Sequence, residues 1–472
     1  MEQEYLSEDI IEQIKDFPFY FQHFTKEQKL LIDKLIINEE LKSRYKNYGL
    51  CIECRQPNTG SNWCQSCNAK HFQQDFKNWT SGNPDVDKLI QESQLNAKSE
   101  DEKLIWIEYD RFENIKYIAK GGFGTISKAI CKEGIIANWN YETNQWNKYS
   151  DFTVALKHLN NSKDITLEFL NEIIPHLRMN KYEHTIKLYG ITKDLNTNDF
   201  IMVIEYANEG SLRQMLDKLS YGELYILSEI ASGLNDIHKE GLIHQDFHSG
   251  NILYSFVNPA DFVFIADLGL CRPANEKSVQ HNKNVYGVLP YVAPEVLRGK
   301  EYTQASDIYS FGIIINEVFN GIPPYHDMAH DEFLAIRICQ GFRPGFTIKV
   351  PQLIEDIFKQ CVDANPLKRP TAEYLKVLFS KWNYAADSET EKQFSEAAKF
   401  NKEQPSSTNN STELTYTTHP QAIYTSRLLK FNNLPEPTNA DNTDNDCLEE
   451  DYSESTKIDF TKLNISNSQD NI

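Results

Sequence analysis

The stretch HQDFHSGN, residues 244–251, places two histidines, one aspartate and one asparagine within eight positions. The apolar pair Ile252 and Leu253 follows directly. On its own, this cluster is compatible with a metal site, a polar surface loop or a catalytic loop, because imidazole, carboxylate and amide groups serve in all three. The glutamine at position 245 sharpens the question, since one of these interpretations expects a cation there.

A lysine ends a short apolar strand well before this cluster. In V-A-L-K, residues 154–157, burying the ammonium of Lys157 is costly unless an anionic group meets it. Further on, the helical stretch LEFLNEII supplies Glu168 and Glu172, four positions apart and therefore on one helix face. A lysine–glutamate pair would hold the ammonium toward the phosphates of a nucleotide, although such a pair alone is also compatible with an ordinary salt bridge.

A glycine-rich turn lies between two strand-like stretches nearer the N-terminus. Residues 118–126, IAKGGFGTI, contain Gly121, Gly122 and Gly124, which let the backbone approach a phosphate closely. The pattern departs from G-x-G-x-x-G, since Ala119 stands at the first glycine. The turn is compatible both with phosphate binding and with an ordinary glycine-rich turn.

The polar residues of the opening stretch agree with these motifs. Asp246 and Asn251, with Asp267 in FIADLGL, follow the lysine in the order and spacing of a phosphoryl-transfer site. With V-A-L-K, HQDFHSGN, D-L-G and A-P-E at 293–295 in succession, the chain resembles the eukaryotic protein kinase family. The later SDIYSFG and KRP fit the same family. The resemblance covers about residues 110–382 and implies an α+β, bilobal protein kinase fold, with a β-rich N-lobe and a helical C-lobe.

The resemblance implies catalytic roles for several of these residues. Lys157 would contact the ATP phosphates, with Glu172 as its helix partner and Glu168 as the second choice. Asp246 would accept the proton of the substrate hydroxyl. For His244 the family implies a packed histidine that holds the loop, and a metal ligand is the less favoured alternative.

Metal-binding and bracing roles follow from the same resemblance. Asn251 and Asp267 would hold Mg²⁺ or Mn²⁺. Asp307 would brace the backbone of the catalytic loop, and an ion pair between Glu295 and Arg369 would secure the end of the activation segment. Adenine would lie between the apolar residues Ile118, Ile126, Ala155 and Leu253, with Ile204 as gatekeeper. The backbone of Glu205 and Ala207 in the hinge would meet the base, and the three glycines named above would surround the phosphates.

Three positions depart from the family pattern. Gln245 replaces the arginine that often pairs with a phosphorylated residue, so phosphate on Ser278 or Tyr286 would lose its usual local partner. This predicts a kinase whose activity does not depend on phosphorylation of the activation segment. His248 stands where serine/threonine kinases commonly keep a lysine that meets the γ-phosphate, and Leu268 replaces a more frequent phenylalanine.

The segment GVLPYVAPE, residues 287–295, bears on the acceptor hydroxyl. It resembles most closely the tyrosine-kinase-like group, whose members mostly modify serine and threonine, and tyrosine stays open as the alternative. The expected function is an ATP- and Mg²⁺-dependent protein kinase acting on protein substrates. The competing interpretation is a pseudokinase, a weakly active nucleotide-binding scaffold. It is disfavoured because the lysine, both aspartates and the asparagine are all present.

A cysteine quartet precedes the kinase-like region. Cys51, Cys54, Cys64 and Cys67 form C-x2-C-x9-C-x2-C, and each C-x2-C offers two thiolates to one side. Two such knuckles complete the four-sulfur shell that structural zinc prefers. A redox C-x-x-C would instead lie beside a βαβ unit. We therefore predict structural Zn²⁺, with free thiols as the alternative.

Composition limits the remaining possibilities. The chain of 472 residues carries a formal net charge of −20 with 40% apolar residues, which argues against a nucleic-acid-binding protein. No apolar run approaches the roughly 20 residues of a membrane span, and the acidic start lacks the features of a signal peptide. The protein is therefore expected to be cytoplasmic.

The sequence divides into four parts. They are a helical segment at 1–50, a zinc-binding module with a helical linker at 51–108, the kinase domain at 109–383 and an acidic tail at 384–472 that is expected to be disordered.

Thr25 and Gln28 resemble a capping box. Trp139 and Trp146 are predicted to be packing residues. Docking of partners is conceivable through the zinc module or the tail, in which residues 419–435 form a more apolar patch that is equally compatible with a local fluctuation.

Overall fold

The protein is described here from a computed structural model of the chain. The structure describes residues 5–18, 21–120, 124–159, 167–216, 222–257, 260–274, 285–403 and 416–440. Across these ranges, no helix combines the length and the apolar character that crossing a membrane requires.

The chain begins with helices. In the described residues up to 100 these are α1 (Glu8–Ile14), α2 (Lys26–Leu35), α3 (Glu39–Tyr48), α4 (Gln65–Asp75) and α5 (Pro84–Asn96). The first three pack around a small apolar core that contains Ile11, Ile32 and Tyr45. The predicted capping box starts α2, because Thr25 Oγ1 accepts from the Gln28 N–H at 3.2 Å and Gln28 Oε1 accepts from the Thr25 N–H at 2.8 Å.

The cysteine-rich segment folds between α3 and α4. Two isolated antiparallel bridges, Leu50 with Pro57 and Gly60 with Trp63, turn the chain back on itself twice. The Trp63 side chain is fully buried and donates from Nε1 to the Ala97 carbonyl at 2.9 Å. This bond ties the cysteine-rich segment to the end of α5.

The N-lobe is built on a six-stranded sheet with the order β1-β7-β8-β6-β3-β2, in which only β1 and β7 are parallel. On β8, one of the two central strands, Met202 faces one apolar cluster, while Ile201 and Val203 face another, as the two-residue period of a strand requires. The elements of this lobe are β1 (Ile105–Trp106), β2 (Phe112–Lys120), β3 (Gly124–Cys131), β4 (Ile135–Asn140), β5 (Gln145–Tyr149), β6 (Phe152–Leu159), α6 (Leu167–Met179), β7 (Leu188–Lys193) and β8 (Phe200–Glu205).

The hairpin of β4 and β5 fastens the cysteine-rich segment to the N-lobe. Trp139 and Trp146 pair across this hairpin. The His71 ring of α4 stacks on Trp139 with a centroid distance of 3.8 Å, and the Phe72 ring stacks on Trp146 at 4.2 Å. Both tryptophans are thus packing residues, as predicted. Tyr141, at the tip of the hairpin, lies with its hydroxyl 3.9 Å from the Cys51 Sγ.

The C-lobe is mostly helical and contains the largest apolar core. Helices α8 and α10 run through it and pack against α13 and α12 respectively, with Phe311 and Phe379 in an edge-to-face contact at 5.7 Å. Its elements are β9 (Gly210–Ser211), α7 (Leu212–Met215), α8 (Glu223–Lys239), β10 (Leu242–Ile243), β11 (Ile252–Val257), β12 (Ala260–Ile265), β13 (Arg272–Pro273), β14 (Val285–Gly287), α9 (Pro294–Leu297), α10 (Gln304–Asn320), α11 (Glu332–Cys339), α12 (Gln352–Cys361) and α13 (Ala372–Tyr384).

Two segments of the tail that was expected to be disordered have a defined structure. The prediction of disorder is therefore wrong for these two segments. Helix α14 (Ser388–Glu403) contacts α12, and residues 416–440 lie along the C-lobe with one short strand, β15 (Arg427–Leu429), paired to β14. Leu429 and Leu434 belong to the C-lobe core. The tail is rich in Ser, Thr and Asn, and this average composition does not indicate that single leucines are buried against the C-lobe.

Candidate active site

Three charged side chains meet between the lobes. Lys157, on β6, contacts the carboxylate of Glu172 on α6, and its Nζ lies 2.8 Å from Asp267 Oδ1. Burial alone would lower the pKa of Lys157, but the two carboxylates outweigh burial and raise this pKa above its ordinary value. Burial would raise the pKa of Asp267, and the Lys157 ammonium outweighs it and lowers this pKa to about 2. Lys157 and Asp267 therefore stabilise each other as an ion pair.

The glutamate partner is the first choice made from the sequence. Glu172 is nine-tenths buried beside Lys157. Glu168 also belongs to α6, but its side chain lies outside the described residues. The Cβ position of Gly269, two residues after Asp267, would approach the Glu172 carboxylate carbon to 3.0 Å, so the glycine lets the Asp267 loop come close to α6.

The catalytic loop is held from within by His244 and Asn251. His244 is fully buried; its Nδ1 accepts from the Asp246 N–H at 3.3 Å, and its Nε2 donates to the Ala266 carbonyl at 3.1 Å. Burial lowers the pKa of His244, which keeps this tautomer neutral. Asn251 Nδ2 donates to the Asp246 carbonyl at 3.0 Å. His244 therefore has the frame-holding role expected of it.

Two buried carboxylates brace the loop and the end of the activation segment. Asp307 accepts from the backbone N–H groups of His244 at 2.8 Å and Gln245 at 3.1 Å. Gln245 has a φ of 69°, a left-handed backbone conformation that is strained for a residue other than glycine. Glu295 receives two parallel bonds from Arg369, at 2.7 and 2.8 Å. Both bracing roles implied by the family resemblance are present.

The side chain of His248 is turned inward, at the position where the family resemblance would expect a lysine that meets the γ-phosphate. The side chain is buried, its Nδ1 accepts from the Gly250 N–H at 3.0 Å, and its Nε2 lies 3.6 Å from Asp246 Oδ1. The imidazole therefore caps the short turn before Asn251 and presents a nitrogen to the catalytic carboxylate.

The apolar residues expected around adenine fall on both lobes. Ala155 and Ile204 pair across β6 and β8 and are buried in one cluster, against which Ile126 packs. Leu253 on β11 packs in a separate C-lobe cluster. Ile118 is 45% exposed on β2.

The hinge and the glycine-rich turn complete the predicted nucleotide site. Glu205 ends β8 and donates its N–H to the Lys187 carbonyl at 2.9 Å, and Ala207 is buried just beyond it. Gly124 begins β3 opposite Leu159. Gly121 and Gly122 lie outside the described residues, as does Ser278.

One buried histidine in this region escaped the sequence analysis. His176 lies on α6, four residues after Glu172, and neither of its ring nitrogens has a hydrogen-bond partner among the described residues. Burial, and then the charge of Lys157, lowers its pKa to about 3. The i, i+4 spacing from the glutamate was the signal that could have found it.

A second missed group lies under the catalytic loop. Glu317, fully buried on α10, accepts from Ser249 Oγ and from the Tyr291 hydroxyl, both at 2.7 Å. Arg213 donates from Nε to the same Ser249 oxygen at 3.1 Å. Burial raises the pKa of Glu317. Nothing in the local sequence connects these four residues, which come from α7, the loop, the activation segment and α10.

The cysteine quartet gathers as predicted. The four sulfur atoms of Cys51, Cys54, Cys64 and Cys67 all lie within 4.8 Å of one another. The Cys51–Cys67 separation is 3.8 Å and the Cys54–Cys64 separation 3.6 Å. A tetrahedron with Zn–S bonds of about 2.3 Å has edges of about 3.8 Å, so the cluster has the size that a four-thiolate zinc site requires.

Comparison with known proteins agrees with this geometry. A family profile described as protein tyrosine and serine/threonine kinase matches residues 112–379, more than half of the chain. The chain therefore belongs to the protein kinase family, and its two-lobed α+β fold is that of a kinase domain.

Several protein kinases are similar to this chain. The chain is 27% identical to the dual specificity protein kinase splA of Dictyostelium discoideum, over 60% of this chain and 12% of the relative. It is 29% identical to the probable serine/threonine-protein kinase gdt4 of the same organism, over 61% and 16%. The serine/threonine-protein kinase STE20 of Candida glabrata is 32% identical, over 48% and 24%. The chain thus spans less than a quarter of the length of each of these relatives.

Proposed function

We propose that the protein is an ATP- and Mg²⁺-dependent protein kinase that transfers the γ-phosphate to serine and threonine hydroxyls of protein substrates, with tyrosine the less favoured acceptor. The proposal rests on the meeting of Lys157, Glu172 and Asp267 beside a loop that carries Asp246. The kinase domain is taken to span residues 109–383.

The metal donors fit a hard divalent cation. Asp267 offers a carboxylate, and Asn251 offers an amide oxygen because its Nδ2 is already committed to the Asp246 carbonyl. The Ala266 N–H donates to the Asn251 carbonyl at 2.8 Å, which holds the two donor residues side by side. Oxygen ligands of this kind suit Mg²⁺ or Mn²⁺. When bound, the cation would neutralise the charge of the β- and γ-phosphates.

The remaining groups would position the phosphates of ATP and deprotonate the acceptor hydroxyl. Lys157, fixed by Glu172, would hold the α- and β-phosphates, while Asp246 would take the proton of the acceptor hydroxyl as the oxygen attacks the γ-phosphorus. Asp246 Oδ1 is buried and accepts no hydrogen bond from the described residues, so it is available for that proton. Phosphoryl transfer needs little covalent chemistry from the protein, and rigid placement of a few charges suffices.

A transfer assay tests the proposal. The protein is incubated with γ-labelled ATP, Mg²⁺ and dephosphorylated casein, and the labelled product is analysed for phosphoserine, phosphothreonine and phosphotyrosine. We expect label mainly on serine and threonine, and a loss of about 100-fold in Asp267→Asn, the usual scale for removing one electrostatic contact to the reacting group. Asp356→Asn, which changes an exposed carboxylate on α12, is the control. Label that is unaffected by Asp267→Asn would contradict the assignment.

The glutamine of the catalytic loop bears on regulation. We place the chain in the tyrosine-kinase-like group and infer that its activity does not require phosphate on the activation segment, because Gln245 offers no cation to such a phosphate. Phosphatase treatment is expected to leave activity unchanged. Activity that disappears on dephosphorylation and returns in Ser278→Asp would overturn this inference.

A structural Zn²⁺ in the cysteine quartet is part of the proposal. The sulfur separations have the size of a tetrahedral site, and such a site contributes on the order of 10 kcal/mol to folding a small module. Zinc content near one equivalent, lost in Cys64→Ser, would support it. Metal analysis that finds no zinc would contradict it.

A nucleotide-binding scaffold with weak or no turnover is the second candidate. The observation in its favour is that His248 is buried against the loop, where a kinase lysine would meet the γ-phosphate. Thermal stabilisation by MgATP without phosphate transfer would favour the scaffold. A cytoplasmic site of action is proposed because none of the eight described cysteines forms a disulfide bond, as suits a reducing compartment. Docking of partners through the zinc module or the tail remains a proposal.

A further inference from the structure

Residues 416–440, the tail segment, lie beside the end of the activation segment as an added strand. Its strand β15 pairs antiparallel with β14, with Leu429 opposite Val285 and Arg427 opposite Gly287. Adding an extended segment to an exposed strand edge is a common way in which proteins recognise peptides, because the backbone hydrogen bonds provide affinity for many sequences.

Apolar and ionic contacts hold the tail segment at its C-terminal end. Leu429 is 4% exposed and Leu434 is 7% exposed, both in the main C-lobe core. Arg298 donates to the Leu434 carbonyl at 3.2 Å and makes two bonds of 2.5 Å with the carboxylate of Glu436. A bidentate pair of this kind fixes register as well as position.

The N-terminal end of the tail segment is held at the catalytic loop. Arg213 donates to the Tyr424 carbonyl at 2.7 Å and to Ser249 Oγ at 3.1 Å, so one guanidinium joins the tail segment to the loop. On the other side, a Cβ built on Gly287, the partner of Arg427, would lie 3.8 Å from Asp246 Oδ1. The residues between these two anchors therefore lie next to strand β14 and the catalytic loop.

Ser426 lies between the two anchors and carries a hydroxyl whose hydrogen-bonding capacity is unused within the described residues. Its Oγ is buried and has no hydrogen-bond partner within the described residues, and the same holds for Asp246 Oδ1. A buried hydroxyl and a buried carboxylate oxygen that both lack partners are costly. By contrast, the neighbouring Thr425 is exposed.

We propose that Ser426 is an intramolecular phosphorylation site, and that the tail segment fills the groove that extended protein substrates would occupy. This inference rests on the proposed function. Ser426 Oγ attacks the γ-phosphorus of ATP, the bond from that phosphorus to the β–γ bridging oxygen breaks, ADP leaves with the electron pair, and Asp246 receives the hydroxyl proton. Until then the tail segment excludes other substrates. Afterwards a phosphate of about −2 charge beside Asp246 is repelled, and the groove opens.

The same contacts define the class of substrate. A protein substrate would present an extended strand to Val285–Gly287, with its acceptor hydroxyl in the place of Ser426. Three residues further on, it would place an aliphatic side chain in the buried position of Leu429.

Phosphate mapping on the full-length protein tests the acceptor. After incubation with MgATP at several protein concentrations, mass spectrometry is expected to find phosphate on Ser426, formed at a rate per molecule that does not depend on concentration, and absent from Ser426→Ala. Phosphate on casein without phosphate on Ser426 would overturn the assignment. Phosphate on neither would contradict the proposed kinase activity, and the binding measurement below would then decide whether the groove is occupied.

Binding of a labelled peptide tests the groove without any catalysis. A fluorescent peptide with the sequence of residues 421–433 is expected to bind the full-length Leu429→Asp variant severalfold more tightly than the wild type, whose groove is filled. Lys430→Asp, at an exposed position next to it, is the control and should resemble the wild type. Equal binding to the wild type and to Leu429→Asp would show that the tail segment does not occupy the groove.

A charge-reversal pair provides an independent test in case Leu429→Asp misfolds. Arg298→Glu is expected to increase peptide binding as Leu429→Asp does, and Arg298→Glu combined with Glu436→Arg is expected to restore the wild-type value. Failure of the double variant to restore it, in protein of normal melting temperature, would contradict the role of this ion pair in holding the tail segment.

Discussion

The Nε2 atom of His248 lies 3.6 Å from Oδ1 of Asp246, the carboxylate proposed to take the proton in phosphoryl transfer. Because Nδ1 accepts from the Gly250 N–H, the N–H of the ring is at Nε2, which faces that carboxylate. His248 is thus a positioning residue for Asp246 and for the turn that leads to Asn251.

Substitution of His248 should separate these two contributions. His248→Ala removes both, and we expect kcat to fall about tenfold with little change in KM for ATP, as for an interaction that matters mainly in the transition state. His248→Asn keeps an acceptor for the Gly250 N–H and is expected to recover part of the rate. Steady-state kinetics at matched folding stability make the measurement, and equal kcat in wild type and His248→Ala would contradict the role.

The buried His176 predicts an acid-sensitive fold. Its pKa of about 3 lies below the 6.5 of an exposed histidine, so below pH 6.5 the unfolded chain binds a proton that the folded chain does not. Stability therefore falls as the pH drops from about 6.5 toward 3. His176→Met removes this loss and two buried nitrogens that have no partner among the described residues, and should raise the melting temperature more at pH 5.5 than at pH 8. A gain of the same size at both pH values would contradict the explanation.

His184 predicts a dependence of the opposite sign. Its Nδ1 lies 3.3 Å from Asp236 and its Nε2 lies 3.5 Å from Glu229, and hydrogen bonds to these carboxylates raise its pKa to about 9. The stabilisation is complete below pH 6.5 and is lost as the pH rises through about 9. His184→Gln should cost on the order of 1 kcal/mol at pH 6, after allowance for solvent screening, and almost nothing at pH 9.5. Denaturant titration at both pH values measures this, and an equal cost at both would exclude the ion pairs as its source.

The cysteine module should influence the catalytic helix. Ile90 of α5 shares a buried cluster with Ile173, the neighbour of Glu172 on α6. Ile90→Ala removes apolar contacts at a cost of about 2–4 kcal/mol, and is expected to lower kinase activity because the Lys157–Glu172 pair depends on the position of α6. Lys88→Ala, at an exposed site of the same helix, is the control. Activity lost equally in both variants, or in neither, would argue against this coupling.

Zinc removal should act along the same route. Treatment with a zinc-selective chelator, followed by return to Mg²⁺, is expected to expose residues 51–108 to protease and to reduce transfer to casein. The stacked pairs His71–Trp139 and Phe72–Trp146 join this module to the N-lobe. Protease sensitivity that is unchanged after zinc removal would contradict the structural zinc site.

Much of the site could be predicted because it lies in short, contiguous motifs. V-A-L-K, HQDFHSGN and D-L-G each carry their chemistry within a few residues, and the structure brings Lys157, Asp246 and Asp267 to one cleft. The choice of Glu172 over Glu168 was not determined by helical spacing, since residues four apart share a face. The structure shows the contact of Glu172 with Lys157, a tertiary relationship that helical spacing does not specify.

The features missed from the sequence depend on contacts between distant residues. Arg213, Ser249 and Glu317 meet only after three elements have packed. The polar composition of the tail segment predicted disorder, because such a segment cannot form a core of its own. Leu429 and Leu434 are instead buried in the existing core of the C-lobe. Composition describes what a segment can do alone, and this segment folds on a partner surface within the same chain.

Transfer of labelled γ-phosphate by wild type and by Asp246→Asn, with MgATP affinity measured on the same preparations, tests the central claim most directly. The amide is nearly isosteric but cannot accept the hydroxyl proton, so transfer to casein and to Ser426 should fall at least about 100-fold, while MgATP affinity stays within about twofold because Lys157 and Asp267 are intact. Transfer by Asp246→Asn at the wild-type rate would contradict the account.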